Sequence, residues 1–490
     1  MRAAVLACAL LAGCMMGPDY QRPSVDSPRS FLYAPKEVAD SADTEWWRAF
    51  GDPVLDRLIA EALANNKDVK IAAANVEQAA AVLTQTRSAL FPQVNYSAAA
   101  GRYRFSEQGT TALPNGLSNP TSYYSVLAGA SWEIDFWGRV RRLSEAAQAS
   151  LLATDEARRG VVLSLVAQVA TAYIQLRGLD EQLEVAKRTL AAYAESLKLT
   201  KDKFEFGQVS QMNVAQVQSQ YETAASRIPQ IRSQIVLTES ALAILLGRNP
   251  GPIPRGKATV ALTPPPVPAG VPSQLLERRP DLLRAEQQLV AANAQIGAAK
   301  ALYFPTISLT GALGTASTQL NNLFSGPAGV WNYAGSLAGP IFNAGAISGQ
   351  VAQAEAAQKA ALLNYERAIQ NAFADVDVAL SSRAELVEQV AAQERLVKAL
   401  QEYSEFSRLL FDGGYVPYST VLQAEQQLFP EELNLAGARA QLLASLVAIY
   451  RAMGGGWVTE ADKLAPQPVA GSGPFAPELP GGGAGSAGAR

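Results

Sequence analysis

The chain contains no histidine. That removes the commonest general base, every histidine-based triad and every imidazole metal ligand. Cysteine is nearly absent too: the only two are Cys8 and Cys14, both in the first fourteen residues. The body of the protein therefore offers no disulfide framework, thiolate metal site or thiol nucleophile. No phosphate-binding glycine loop is present either, so no enzyme activity, metal or cofactor is expected. Basic charge is not concentrated. Lys and Arg number 41 against 44 Asp and Glu, for a net charge of −3, and nucleic acid is not an expected partner. Beyond the leader, no apolar run reaches the eighteen or so residues of a membrane helix. A chain of 490 residues implies two or three domains or a repeat architecture.

Residues 1–13 read as a signal peptide: Arg2, an apolar run from Ala3 to Leu11, then Ala12-Gly13. Leu11-Ala-Gly-Cys14 looks like a bacterial lipoprotein box, with Cys14 as the lipidated residue. Met15, rather than Asp, follows the cysteine, which by resemblance to Gram-negative lipoprotein sorting favours the outer membrane. Residues 14–52 form a Pro-, Ser- and Asp-rich arm laid over the surface. Trp46 and Trp47 read as its packing anchors.

The body is a tandem repeat. The stretch Lys203-Phe-Glu-Phe-Gly-Gln-Val-Ser-Gln-Met-Asn-Val214 recurs as Leu410-Phe-Asp-Gly-Gly-Tyr-Val-Pro-Tyr-Ser-Thr-Val421. Phe204 matches Phe411 and Gly207 matches Gly414. Each copy is a glycine-containing break between two long helical patterns. The first repeat covers 53–246: a helix over 53–90, strands over 93–105 and 122–136, and a hairpin over 139–246 with its tip at 204–213. A linker or equatorial segment covers 247–272. The second repeat covers 273–453, with strands over 306–314 and 330–341, a hairpin over 345–453 and a tip at 411–420. Residues 454–490 form an equatorial segment and flexible tail. Val162, Leu165, Val169, Ala172, Leu176, Leu179, Leu183, Ala186, Leu190, Tyr193 and Leu197 lie on alternating steps of three and four, a coiled-coil period. Pro229 should kink the first return helix and Gly247 should end it. The second long helix has a weaker stripe, because Arg383, Gln393, Ser404 and Ser407 occupy its matching positions. A solvent- or lumen-facing wall would explain that, and so would a different packing stripe.

Period-2 alternation marks the strands: Tyr124, Val126, Ala128, Ala130, Trp132, Ile134 and Phe136 share one side. Such a hairpin fits a membrane barrel or a soluble β-sandwich. Trp132, Phe136, Trp137 and Trp331 read either as an aromatic girdle or as junction packing. Glu133 and Asp135 read as a polar lumen rim, and Arg278-Arg279 as a helix boundary with structural ion pairs. The few strands of one chain cannot close a barrel, and open edges are not tolerated in lipid, so several chains must contribute.

In this order of elements the chain resembles a TolC-like outer-membrane factor of the OprM/NodT-type lipoprotein branch. The residues carrying the resemblance are the Leu11–Cys14 box, Gly17-Pro-Asp-Tyr20, Trp46-Trp47, Trp132-Glu-Ile-Asp-Phe-Trp-Gly-Arg139, Leu275-Leu-Glu-Arg-Arg-Pro-Asp-Leu282 and both tips. It implies an α+β membrane protein in which four strands per chain make a trimeric twelve-stranded β-barrel. That barrel continues into a periplasmic α-helical coiled-coil barrel with an equatorial domain. It further implies the exit duct of a tripartite efflux pump, with a homotrimer, outer-membrane lipid, a periplasmic adaptor and an inner-membrane RND transporter as partners. The alternatives are an exit duct for ABC-type protein secretion and a lipid-anchored periplasmic scaffold without a pore. The tips are then the gate and adaptor contact: Phe204, Gly207, Met212 and Gln216 in the first repeat, and Phe411, Gly414, Tyr418, Ser419 and Gln423 in the second. The family places an Asp where this chain has Gln423.

Overall fold

Side chains able to accept a backbone N–H set the first helix starts. In this computed structural model Asp52 accepts from Val54 at 2.9 Å and Pro53 fills the first turn of α1 (Pro53–Asn65), where a missing N–H is harmless. The single helix expected over 53–90 is divided at Asn66, and α2 runs Lys67–Ser88. The cause is the Asn66 side chain, which accepts from Asp68 and Val69 while its Nδ2 donates to the Leu245 carbonyl. The remaining elements are β1 (Gln93–Tyr103), β2 (Thr121–Ile134), α3 (Arg139–Glu205), α4 (Gln211–Leu245) and α5 (Pro272–Arg278). They are followed by α6 (Pro280–Ala301), β3 (Thr306–Ser317), β4 (Gly329–Ala338), α7 (Ala346–Asp412), α8 (Tyr418–Met453) and α9 (Trp457–Lys463). The described residues are 15–25, 28, 30–33, 45–106, 108, 118–267, 272–454, 457–469, 471 and 476–480. Cys14 and the leader lie outside them.

The repeat is visible in the element lengths: α2 and α6 have 22 residues each, and α3 and α7 have 67 each. At about 1.5 Å per residue, each long helix extends about 100 Å. The four strands form one antiparallel sheet in the order β1-β2-β3-β4. The repeats share it through β2 and β3, where Trp132 faces Leu309. Among the described residues, strands β1 and β4 each have a single partner and are exposed almost throughout.

Strand β2 stops at Ile134, short of the expected end at 136, because Asp135 turns away to cap α3. Its carboxylate accepts from the Val140 and Arg141 backbone N–H groups at 3.0 and 2.9 Å. Glu133 is held by Arg139 at 2.9 Å. These two carboxylates therefore serve the strand-to-helix junction. Strand β4 ends at Ala338, before Gly339-Pro340, since proline cannot donate to a ladder. Strand β3 runs on to Ser317, which pairs with Tyr124. Trp137 and Phe136 are junction packing: the Trp137 ring stacks on Phe304 at 4.5 Å, and its Nε1 donates to the Pro305 carbonyl. Trp331 stays on the outside of β4, 75% exposed and stacked on Tyr333.

Helix α3 is the spine. It packs on α1, α2, α4, α6, α8 and α9, while α7 packs on α6 and α8. The expected stripe of α3 faces the core: Val162, Leu165, Val169, Leu176 and Leu197 are buried, and Leu183 and Leu190 are half-buried against it. On α7 the buried positions are Tyr365, Ile369, Ala372, Val376, Leu380, Val390, Val397 and Leu400. Ser407 is buried among them while Arg383 stays half-exposed. Both return helices continue through a proline, Pro229 in α4 and Pro430 in α8, and α4 ends just before Gly247, whose φ is +73°. Helices α3 and α8 each contain an eighteen-residue window apolar enough for a membrane span, which a search for unbroken apolar runs misses. Half of each window is buried against other helices, as in a core helix.

Around the middle of α3 the arm and the C-terminal segment close a second layer. Trp46 stacks on Tyr450 at 5.1 Å and meets Trp47 and Trp457 edge-on, so both arm tryptophans are packing anchors. Buried Arg158 on α3 pairs with Asp155 and Asp462. Arg279 is buried and pairs with Asp281 and Asp375 at 2.7 and 2.9 Å while donating to the Ala452 carbonyl. It is a structural boundary residue.

Candidate functional site: the hairpin tips

Each long helix ends in the same backbone device. In the first tip the Gly207 N–H donates to Phe204 and the Gln208 N–H to Lys203. In the second, Gly414 donates to Phe411 and Tyr415 to Leu410. This paired bond pattern needs a left-handed residue after the helix, and Gly207 and Gly414 have φ of +70° and +79°. The turns are shorter than the expected 204–213 and 411–420. Helix α3 runs to Glu205 and α4 starts at Gln211; α7 runs to Asp412 and α8 starts at Tyr418. Phe204 and Phe411 therefore close helices, and Met212, Gln216, Tyr418, Ser419 and Gln423 belong to the return helices.

The two tips are packed on each other. Leu197, Val217 and Leu422 form a buried cluster with Val214, Tyr221 and Tyr418 against it. Gln220 donates to the Leu422 carbonyl at 3.0 Å. Phe411 and Tyr418 lie 5.0 Å apart between ring centres, and the Lys203 ammonium sits 5.4 Å from the Phe411 ring centre. A lysine over an aromatic face is attracted by the ring quadrupole, by about 0.5–1 kcal/mol at an exposed site. Between the tips lies a cleft of about 560 Å³, reached by Glu195, Lys203, Arg408 and Asp412.

The expected site residues divide into two sets. Phe411 and Tyr418 are half-buried and join the hairpins. Phe204, Gly207, Met212, Gln216, Gly414, Ser419 and Gln423 are exposed. Glu425, two positions after Gln423, is paired with Arg408 at 2.9 Å. Burial pushes its carboxyl above the usual range while Arg408 opposes that shift. Desolvation likewise raises the Tyr418 phenol. Ser210 occupies the cap position of α4, yet its hydroxyl bonds the Asn213 side chain at 2.5 Å instead of a backbone N–H. Sequence reasoning missed Lys203 and Arg408; a cation opposite each partner is visible only once the hairpins are paired.

Two long antiparallel hairpins carried by a four-stranded sheet with free edges define a protomer of the TolC-like outer-membrane channels. The chain belongs to the outer membrane efflux protein family, whose pattern it matches over residues 58–248 and 271–455. This is a family of transport proteins of the outer membrane. The chain is 36% identical over 453 residues to the cation efflux system protein CusC of Escherichia coli, covering 91% of this chain and 96% of that one. It is 37% identical over 476 residues to the toluene efflux pump outer membrane protein TtgF of Pseudomonas putida, covering 94% and 96%. The open state of the Neisseria gonorrhoeae MtrE outer membrane channel matches with a TM-score of 0.82 at 32% identity, covering 91% of this chain and 99% of that one.

Proposed function

We propose that the protein is the passive exit duct of a tripartite efflux system, taking drugs or other small molecules from a periplasmic adaptor and an inner-membrane RND pump to the exterior. The observation that carries this reading is the pair of free sheet edges on β1 and β4. Unpaired backbone groups in hydrocarbon cost several kcal/mol each, so β4 of one chain needs β1 of the next. Three chains close the ring. In this reading Cys14 carries the lipid anchor, the sheet spans the outer membrane, and α3, α4, α7 and α8 hang into the periplasm. The relatives' names cover cations and toluene; a passive duct passes either, and the pump chooses.

The tips form the periplasmic mouth. Gly207 and Gly414 turn the chain. Phe204, Met212, Gln216, Ser419 and Gln423 face the pore or the adaptor, and Phe411 with Tyr418 holds the two hairpins together. Their exposure pattern supports these roles. Gln216 and Gln423 put neutral amides where an acid would make closure cation-sensitive. Glu425 does not replace that acid, since Arg408 already neutralises it. Reconstitution into planar bilayers should give trimers with stepwise ion conductance. Recovery of a monomeric, non-conducting protein from outer membranes would refute the duct. Copurification should bring down an adaptor and an RND transporter.

A further inference from the structure

The motif Gly17-Pro18-Asp19-Tyr20 takes no part in the tips, yet each of its residues meets a receptor group of its own. Gly17 has φ +87° and lies backbone to backbone on Gly297 of α6, where a Cβ on either glycine would overlap the opposite main chain. Buried Asn293, one turn earlier, donates to the Pro18 carbonyl at 2.9 Å. Asp19 pairs with Arg142 at 2.7 Å. The Tyr20 hydroxyl donates to Glu286 at 3.3 Å.

Arg142 makes this more than surface contact. Its side chain is 2% exposed, and its Nε and Nη2 also donate to the Met16 and Gly17 carbonyls at 3.0 and 3.4 Å. A guanidinium taken out of water needs its donors met. Apart from Glu145 on its own helix, at 2.8 Å, those partners all come from the arm. Just upstream, the Met16 N–H donates to the Trp137 carbonyl at 3.2 Å and Met15 packs on Gly138. That is the short segment joining β2 to α3, at the foot of the sheet.

We infer that Gly17–Tyr20 is an intramolecular docking peptide, and that the groove of Arg142, Asn293 and Gly297 fixes the acylated N-terminus at the foot of the sheet. This rests on reading Cys14 as the lipid-bearing residue. Met15 follows Cys14 directly in the chain. Docking of the arm from Met15 onward would then hold the lipid's attachment point near the level at which the strands enter the leaflet.

With the Cys14 sulfur carrying its lipid, the mature chain has no free cysteine, so Gln21→Cys in the full-length protein gives a single site for a spin label. The label should be immobile in the parent. It should become mobile when the arm is changed (Gly17→Val with Asp19→Ala) and when the groove is filled (Gly297→Val). Chymotrypsin cleavage after Tyr20 should rise at least tenfold in both. The arm-side variant changes no residue of α3 or α6, so it decides the matter even if Gly297→Val folds poorly. A label equally mobile in parent and arm-side variant, or cleavage rates within twofold, would overturn the docking peptide. The mass of the N-terminal peptide tests the premise separately: an unacylated chain, in which Cys14 would itself take label, overturns the anchor role, and slow cleavage after Tyr20 then still reads docking.

Discussion

Gly207 and Gly414 are glycines for their backbone and not for their surroundings. Both lie in the left-handed region, and nothing comes within 4 Å of a Cβ built on either. Alanine at either tip should cost roughly 1 kcal/mol, the conformational penalty alone. Gly247 also has positive φ, but its Cβ would run into the Asn65 carbonyl, so Gly247→Ala should lower the melting temperature more than Gly207→Ala does. Equal losses would contradict this. Glu156 offers a second test at this scale. Burial raises its carboxyl to about 7 from 4.5, with Arg159 pulling the other way. A folded value above the unfolded one gives stability that is complete below about 4.5 and lost as pH rises through about 7. Glu156→Gln should therefore gain in melting temperature over the parent as pH climbs across that window. A flat difference would exclude it.

The helical hairpins are joined at the tip by few groups, which makes their coupling testable. Phe411→Ala removes both the Tyr418 ring contact and the Lys203 contact; if the tip is the gate, open-state conductance should rise in planar bilayers without loss of assembled protein. Arg408→Ala should act more weakly, because the guanidinium is half-exposed and such pairs contribute about 0–1 kcal/mol. The elements differ in how far they could be read from sequence. The glycine breaks were legible because left-handed backbone demands glycine, and the α3 stripe because one face of a long helix is buried. The α1/α2 division was not, since Asn66 in an apolar pattern acts as a cap only when Leu245 arrives to take its amide. Nor was the role of Asp135: two residues past Glu133 it continues the alternation, and only the start of α3 beside it turns it into a cap. Arg408 with Glu425, and Lys203 with Phe411, share no periodicity that would pair them.

For the whole molecule, the sheet sets the terms of assembly. Trp331 and Tyr333 stack on one face of β4 and are largely exposed. If that face meets lipid, Tyr333→Lys should cost about 2–4 kcal/mol near the bilayer midplane, seen as fewer trimers extracted from outer membranes. Undiminished trimer would place Tyr333 in the lumen or near the interface. The tips hang far from that sheet, at the ends of helices of 67 residues. Such a helix is a lever arm. A tilt of one degree about its membrane end carries a point about 100 Å away sideways by roughly 1.7 Å. If the tips form the mouth of the duct, it can widen by several ångströms while each side chain along α3 shifts against its neighbour by only a fraction of one, so opening need not break the packed core along the helices.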